Sequence, residues 1–116
     1  MRTRFTIAVC VASVAFTLPL YAATVTLTRN SFSGFTTNDG WSNGKAPEST
    51  NDYVVANGYY LHGDNSEGFV GNSLQFGILG GSEGVFFKEH AGTHTFTKLI
   101  LANGPRKLDS LSATVR

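Results

Sequence analysis

The fold is decided by two short stretches that nearly repeat each other, Val54-Val55-Ala56-Asn57-Gly58 and Ile100-Leu101-Ala102-Asn103-Gly104. They lie 46 residues apart, and the midpoint of that interval is marked by a further glycine, Gly81. A glycine therefore recurs every 23 residues. Glycine and asparagine adopt positive φ at low cost, so these positions suit sharp corners between strands. A strand, a corner and a return after a fixed interval predict one turn of a solenoid.

Apolar residues alternate within the stretches, which places them on one face of a strand. The predicted inward-facing pairs are Tyr53/Val55, Phe76/Ile78 and Leu99/Leu101, and a second, weaker column contains Tyr60/His62, Val85/Phe87 and Leu108. Because no stretch has a sustained helical period, the predicted class is all-β: a short, right-handed parallel β-helix of about three turns. The alternative is an antiparallel β-sandwich or jelly roll, which also combines short strands with frequent turns.

The first residues have the pattern of a secretory signal peptide. Met1-Arg2-Thr3-Arg4 is cationic, residues 5–18 carry no charge, and Leu20-Tyr21-Ala22-Ala23 supplies small residues for a signal peptidase. We expect cleavage after Ala22 or Ala23, contact with a membrane during export only, and a secreted or outer-surface product. The expected organisation is a signal peptide at 1–22, an N-terminal strand and cap segment at 23–40, and solenoid turns at 41–116.

Composition excludes several classes of function. The 116 residues contain nine Lys and Arg against eight Asp and Glu, and removal of residues 1–22 takes away Arg2 and Arg4. The remaining chain is almost neutral, so it lacks the basic face that a nucleic-acid-binding protein needs. The one cysteine, Cys10, lies in the signal peptide, which argues against a disulfide-stabilised domain.

Four motifs, three of them containing Gly and Asn, lie in the region from residue 41 onward. They are Trp41-Ser42-Asn43-Gly44-Lys45-Ala46-Pro47, Asp52-Tyr53-Val54-Val55, Phe69-Val70-Gly71-Asn72-Ser73-Leu74 and Leu99-Ile100-Leu101-Ala102-Asn103-Gly104. With these motifs the region resembles the opening turns of bacterial autotransporter-type passengers, and most closely large surface proteins with autotransporter-associated β-strand repeats. The resemblance implies a non-catalytic structural or adhesive scaffold at the cell surface.

Members of that family are normally hundreds of residues long and end in a translocator barrel or a sorting signal. Residues 113–116 contain neither. We therefore expect an N-terminal fragment of a longer protein. Its expected partner is the missing C-terminal remainder of the solenoid, or extracellular glycans of a host.

Trp41, Tyr59 and Tyr60 are the candidate ligand-binding residues, because aromatic faces can stack on sugar rings. Trp41 also suits a bulky plug over the first turn, and a strand through Tyr59-Tyr60 must place one of these rings outward. These residues leave open a small carbohydrate-binding β-sandwich module as an alternative function. A third possibility is the inactive N-terminal part of a pectin-lyase-like enzyme.

The polar residues do not form a recognisable catalytic or metal site. His90 and His94 have a spacing that binds metal on a helix, but Gly92 favours a loop or strand, and we expect both histidines to be exposed in a turn. The oxygen donors of residues 64–68 are expected to form a solvated turn rather than a calcium site. The aspartates are spread along the chain, apart from a loose pairing of Asp52 with Lys98 two turns on, so we predict no metal, no cofactor and no catalysis. The other dispersed aspartates are Asp39, Asp64 and Asp109.

Overall fold

The computed structural model describes residues 21–63, 67–88, 92–103 and 113–114. Every regular element in these ranges is a β-strand. The strands are β1 (Thr24–Thr26), β2 (Asp52–Val55), β3 (Tyr60–Gly63), β4 (Ser73–Phe76), β5 (Val85–Lys88), β6 (His94–Thr95), β7 (Lys98–Leu101) and β8 (Ala113–Thr114). In the part of the chain described, no helix has the length and apolarity needed to cross a membrane.

The strands form three sheets, with the orders β1-β2-β4-β7, β3-β5 and β6-β8. Every strand pair in the described ranges is parallel. Two isolated parallel bridges, Ser31 with Leu61 and Val70 with Thr95, extend the second and third sheets by one row. The chain visits the sheets in rotation, through β4, β5 and β6 before it returns to the first sheet at β7. The strands of the other two sheets therefore provide the long connection that a parallel pair requires.

The four-stranded sheet aligns its inward side chains in two rows. In the first row Val25, Tyr53, Leu74 and Leu99 lie in register on successive strands. All of them are buried except Leu99, which packs against the core while partly exposed. The predicted pairs Tyr53/Val55 and Leu99/Leu101 are thus aligned as expected, but Leu101, predicted to face inward, is 54% exposed.

The predicted pair Phe76/Ile78 is displaced by two residues along the chain: Leu74 and Phe76 occupy these register positions. Phe76, not Ile78, lies in register between Val55 and Leu101. The spacing is 21 residues from Val55 to Phe76 and 25 from there to Leu101, instead of 23 twice. Ile78 lies beyond the end of β4 and is 40% exposed. The loops before and after β4 differ in length. The interval from Val55 to Leu101 is 46 residues as predicted, but Phe76 does not lie at its midpoint.

The corners are glycine- and asparagine-containing, although not all at the predicted positions. Asn57 and Gly58 have φ values of 62° and 72°, as the corner after β2 requires. After β4 the positive φ values belong to Gly77 and Gly80, at 73° and 74°, rather than to Gly81. Gly104 lies outside the described residues.

The second predicted column has the correct register but is buried only in part. Tyr60 pairs with Val85 and His62 with Phe87; Val85 and His62 are 5% and 6% exposed, whereas Leu61 and Phe86, between them, have no exposed surface and belong to the core. Only Tyr60, the first residue of β3, is exposed; Leu61, His62 and Gly63 are all buried. Leu108, the last member of that column, lies outside the described residues.

The outer edge of β1 is covered by a segment of the same chain. The N–H of Thr26 donates to Oγ of Ser42 at 3.0 Å, and the N–H of Ser42 donates to the carbonyl oxygen of Thr26 at 2.9 Å. The N–H of Thr28 donates to the Gly40 carbonyl at 2.8 Å. An uncovered edge strand can pair with another chain, so these bonds protect this end of the sheet from strand addition.

Candidate binding surface

A row of three aromatic side chains lies on the side of the β3-β5 sheet opposite Leu61 and Phe86, and its central ring, that of His62, is 6% exposed. Phe32, His62 and Phe87 lie one after another across three successive chain segments. The ring centroids of Phe32 and His62 are 6.1 Å apart in an edge-on arrangement, and those of His62 and Phe87 are 5.0 Å apart and stacked. We call these three residues, together with Tyr60, the aromatic face.

The parallel register builds this row. Ser31, Leu61 and Phe86 are in line and buried, so the residue that follows each of them points to the opposite, outer side. Tyr60 is two residues before His62 and lies on the same side of β3. The aromatic face is therefore a consequence of the stacking, because its members are far apart in sequence.

Hydrogen bonds hold the row in place. Nδ1–H of His62 donates to the carbonyl oxygen of Phe32 at 2.9 Å, which fixes the orientation of the imidazole and links two successive segments. Asp39 anchors the same loop, since it accepts from Oγ–H of Ser31 at 2.9 Å and from the N–H of Phe32 at 3.3 Å. The guanidinium of Arg29 contacts the other carboxylate oxygen of Asp39 at 2.7 Å. These bonds hold the His62 ring and the backbone of Phe32.

Two rings of the aromatic face are open to solvent. Phe32 is 64% exposed and Tyr60 is 46% exposed. The backbone N–H of Tyr60 donates to Oδ1 of Asn30 at 3.0 Å, which ties β3 to the segment before Ser31. An exposed phenylalanine on an anchored loop is the least expected of these features, because large apolar side chains are normally buried.

The candidate ligand-binding residues lie in different environments. Trp41 is 4% exposed, its Nε1–H donates to the Gly34 carbonyl at 2.8 Å, and its ring packs edge-on against Tyr53 with centroids 4.8 Å apart. It therefore belongs to the core and offers little surface to a ligand. Tyr59 packs against the core while partly buried, and Tyr60 points outward. The structure brings neither tyrosine together with Trp41 on one open surface.

The prediction of an exposed turn histidine is wrong for His94. This residue is in β6, has no exposed surface, and accepts the N–H of Phe69 at Nδ1 over 2.9 Å. Its ring lies edge-on to Phe35 and Phe86, at 5.1 and 5.2 Å between centroids. The alternation His94-Thr95-Phe96, with buried first and last residues, is the sequence signal for this burial. His90 lies outside the described residues.

The acidic residues take part in structural contacts. Asp52, Ser73 and Lys98 occupy one row of the first sheet, so the predicted alignment of Lys98 with Asp52 is confirmed, with one strand between them. The carboxylate of Asp52 accepts from Asn72 at 2.8 Å and from Ser73 at 2.6 Å. In the described ranges no three His, Cys, Asp or Glu side chains come together as a metal site would require. Residues 64–66 and Asp109 lie outside these ranges.

Sequence reasoning missed Phe32, the most exposed member of the aromatic face. It lies on no strand, and only the isolated bridge at Ser31 brings it into line with His62. Phe32, His62 and Phe87 have no regular spacing in the sequence that would reveal the row, because the loops between them differ in length. No family model, curated protein or solved structure matches the chain. The autotransporter resemblance therefore stays a prediction.

Proposed function

We propose that the chain is a non-catalytic β-solenoid scaffold that is exported to the cell surface or secreted, where it presents its outer faces to the surroundings. The observation that carries this proposal is the in-register row Val25, Tyr53, Leu74 and Leu99, formed by parallel strands that return to one sheet. Repeated return to the same sheet after strands of two others is what a solenoid requires.

The pairing pattern supports a solenoid over a sandwich. In an antiparallel sandwich, neighbouring strands run in opposite directions and the inward residues belong to two facing layers. Here the five strand pairs described are parallel, and three sheets share the aromatic core. Unequal turns are compatible with this architecture, because extra residues in a turn form a loop without changing the register of the next strand.

Export is supported by the position of the first sheet contact. The carbonyl oxygen of Ala23 accepts the N–H of Asp52 at 2.8 Å, and β1 begins at the following residue. Among the described residues, the sheet thus starts beside the expected cleavage site. A folded domain that begins there retains its first strand after removal of residues 1–22.

The dispersed acids favour a scaffold over an enzyme. Hydrolases that use carboxylates need two of them at a fixed separation around the scissile bond. The Asp52 carboxylate is held by Asn72 and Ser73, and Asp39 by Arg29 and Ser31. These contacts give both aspartates a structural role, and the pectin-lyase-like alternative draws no support from them.

The proposal is tested by an export assay in a bacterial host. The chain is fused at its C-terminus to a reporter enzyme that is active only outside the cytoplasm, and a matched fusion lacks residues 1–22. We expect reporter activity and a shortened, processed product from the first fusion and neither from the second. Equal reporter activity from both fusions, or an unprocessed cytoplasmic product from the first, would contradict the proposal.

A further inference from the structure

We propose that Asn43 is a site of spontaneous deamidation, and that the fold selects it among three Asn-Gly pairs. The pairs are Asn43-Gly44, Asn57-Gly58 and Asn103-Gly104. Glycine has no Cβ to shield its amide nitrogen, so an asparagine that precedes glycine is favourably placed for this chemistry. The inference concerns a covalent modification and does not depend on the proposed function.

The reaction is an intramolecular substitution. The backbone nitrogen of the glycine loses its proton and attacks Cγ of the asparagine side chain, and the amide nitrogen takes up a proton and leaves as ammonia. Water then opens the cyclic succinimide to aspartate or isoaspartate. Water is consumed and ammonia is released, so no other reactant is needed. The glycine N–H and the side-chain amide must both be able to leave their hydrogen bonds.

At the second pair the fold restrains the nucleophile. The N–H of Gly58 donates to the carbonyl oxygen of Glu83, in the segment that precedes β5. Attack by this nitrogen on Asn57 requires that the bond between the two chain segments be broken. Gly58 is also half-buried. The pair is therefore protected, although Asn57 itself is exposed.

At the third pair the fold restrains the leaving group. The Nδ2 amide of Asn103 donates to the carbonyl oxygens of Ile78 and Gly81, at 2.9 and 2.5 Å. Both acceptors lie in the loop after β4, so these bonds hold the side chain against another segment of the chain. Ammonia leaves only after both bonds are broken, which slows the reaction at Asn103.

The bonds described at Asn43 lie within one exposed turn. Its Oδ1 accepts the N–H of Lys45 at 3.1 Å, which keeps the side chain folded toward the following backbone and draws electron density from Cγ. The N–H of Gly44 donates to the carbonyl oxygen of Trp41 at 3.0 Å. Residues 43–45 are all exposed, so this turn can open without separating two segments of the core.

Conversion of Asn43 acts on the segment that covers β1. The preceding residue, Ser42, exchanges hydrogen bonds with the main chain of Thr26 at the outer edge of that strand. Isoaspartate adds a carbon atom to the main chain, and both products add a negative charge. We expect isoaspartate at position 43 to displace Ser42 and to promote self-association at the uncovered edge.

The inference is tested by incubation of the purified protein in mildly alkaline buffer, with and without guanidinium chloride, followed by tryptic peptide mapping. Lys45 and Lys88 place the three pairs on separate peptides. Conversion raises the peptide mass, because an NH2 group is replaced by OH. In native buffer we expect Asn43 to convert about tenfold faster than Asn57 or Asn103, the change for a barrier difference of ~1.4 kcal/mol. In denaturant the three rates should be similar.

Asn43→Gln should abolish conversion at the first pair, because the longer side chain closes a six-membered ring less readily. Asn57→Gln is the matched control and should leave the rate at Asn43 unchanged. Anion exchange separates the converted protein by its added charge, and sedimentation velocity compares its association with that of the unmodified protein. We expect stronger association of the converted fraction.

Equal native rates at the three pairs, or slower conversion at Asn43 than at either other pair, would overturn the inference. The native order of rates retained in denaturant would also overturn it, because the order would then come from local sequence instead of the fold. Equal association of the converted and unmodified fractions would overturn the effect on the edge of β1. Each of these results leaves the export assay untouched.

Discussion

The ring of Phe35 occupies the space that a side chain on Gly63 would need, since a Cβ added to Gly63 overlaps that ring. Phe35 belongs to the loop after β1, whereas Gly63 is the last residue of β3. The ring continues past this glycine and stacks on Phe86 at 5.3 Å between centroids. The loop that carries the exposed Phe32 is thus held to the core three residues further along.

Gly63→Ala is expected to destabilise the protein by about 1–3 kcal/mol, because an added methyl group displaces a buried ring in a closely packed core. The free energy of unfolding in urea measures this loss. In a Phe35→Leu background the same substitution should cost less, because the smaller side chain leaves room. An equal cost in both backgrounds would show that the two residues do not compete for space.

Trp41→Phe is expected to cost about 1–3 kcal/mol, since it removes the indole N–H and leaves the carbonyl of Gly34 without its donor in a buried site. Unfolding is followed by circular dichroism, because the substitution removes the one tryptophan. A Trp41→Phe variant as stable as the unsubstituted protein would contradict the placement of Trp41 in the core.

His94→Phe is expected to cost about 1–3 kcal/mol although the ring is of similar size, because the N–H of Phe69 loses its acceptor inside the core. His62→Phe is the matched comparison on the outer face. It removes a part-buried bond to the carbonyl of Phe32, whereas the bond made by His94 is fully buried, and should therefore cost less. Urea unfolding of both variants checks the order, and a larger loss for His62→Phe would contradict the assignment of His94 to the core.

Ser42→Pro is expected to promote self-association, because it removes both the acceptor and the donor that cover the outer edge of Thr26. Ser42→Ala removes the acceptor alone and should have a smaller effect. Sedimentation velocity over a range of protein concentrations measures the association. If Ser42→Pro stays monomeric and folded at every concentration, the edge does not depend on this segment for protection.

The sequence predicts the 46-residue interval between Val55 and Leu101 correctly, but not the position of the strand between them. The prediction aligns Val55 with Leu101 correctly, because an Ala-Asn pair follows each of them in the sequence. It wrongly places Ile78 between them, because the loops before and after β4 differ in length. The face of β3 was ambiguous, since Tyr60-Leu61-His62 can place either set inward, and packing around Leu61 decides it. The aromatic face could not be predicted, because Phe32 joins it through one isolated bridge.

The in-register parallel stacking of the first sheet is tested most directly by paired cysteines in a chain that begins at Ala23, which lacks Cys10. Gln75 and Ile100 are partners on adjacent strands and lie on the face opposite the core. Their Cα atoms are expected ~4.8 Å apart, within the range of a disulfide, whereas Val54 and Ile100 are two strands apart.

Mild oxidation of Gln75→Cys/Ile100→Cys should close one intramolecular disulfide, seen as a loss of two mass units and of free thiol. Val54→Cys/Ile100→Cys should stay reduced under the same conditions. A disulfide in the second variant with free thiols in the first would contradict the stacking, and with it the solenoid scaffold.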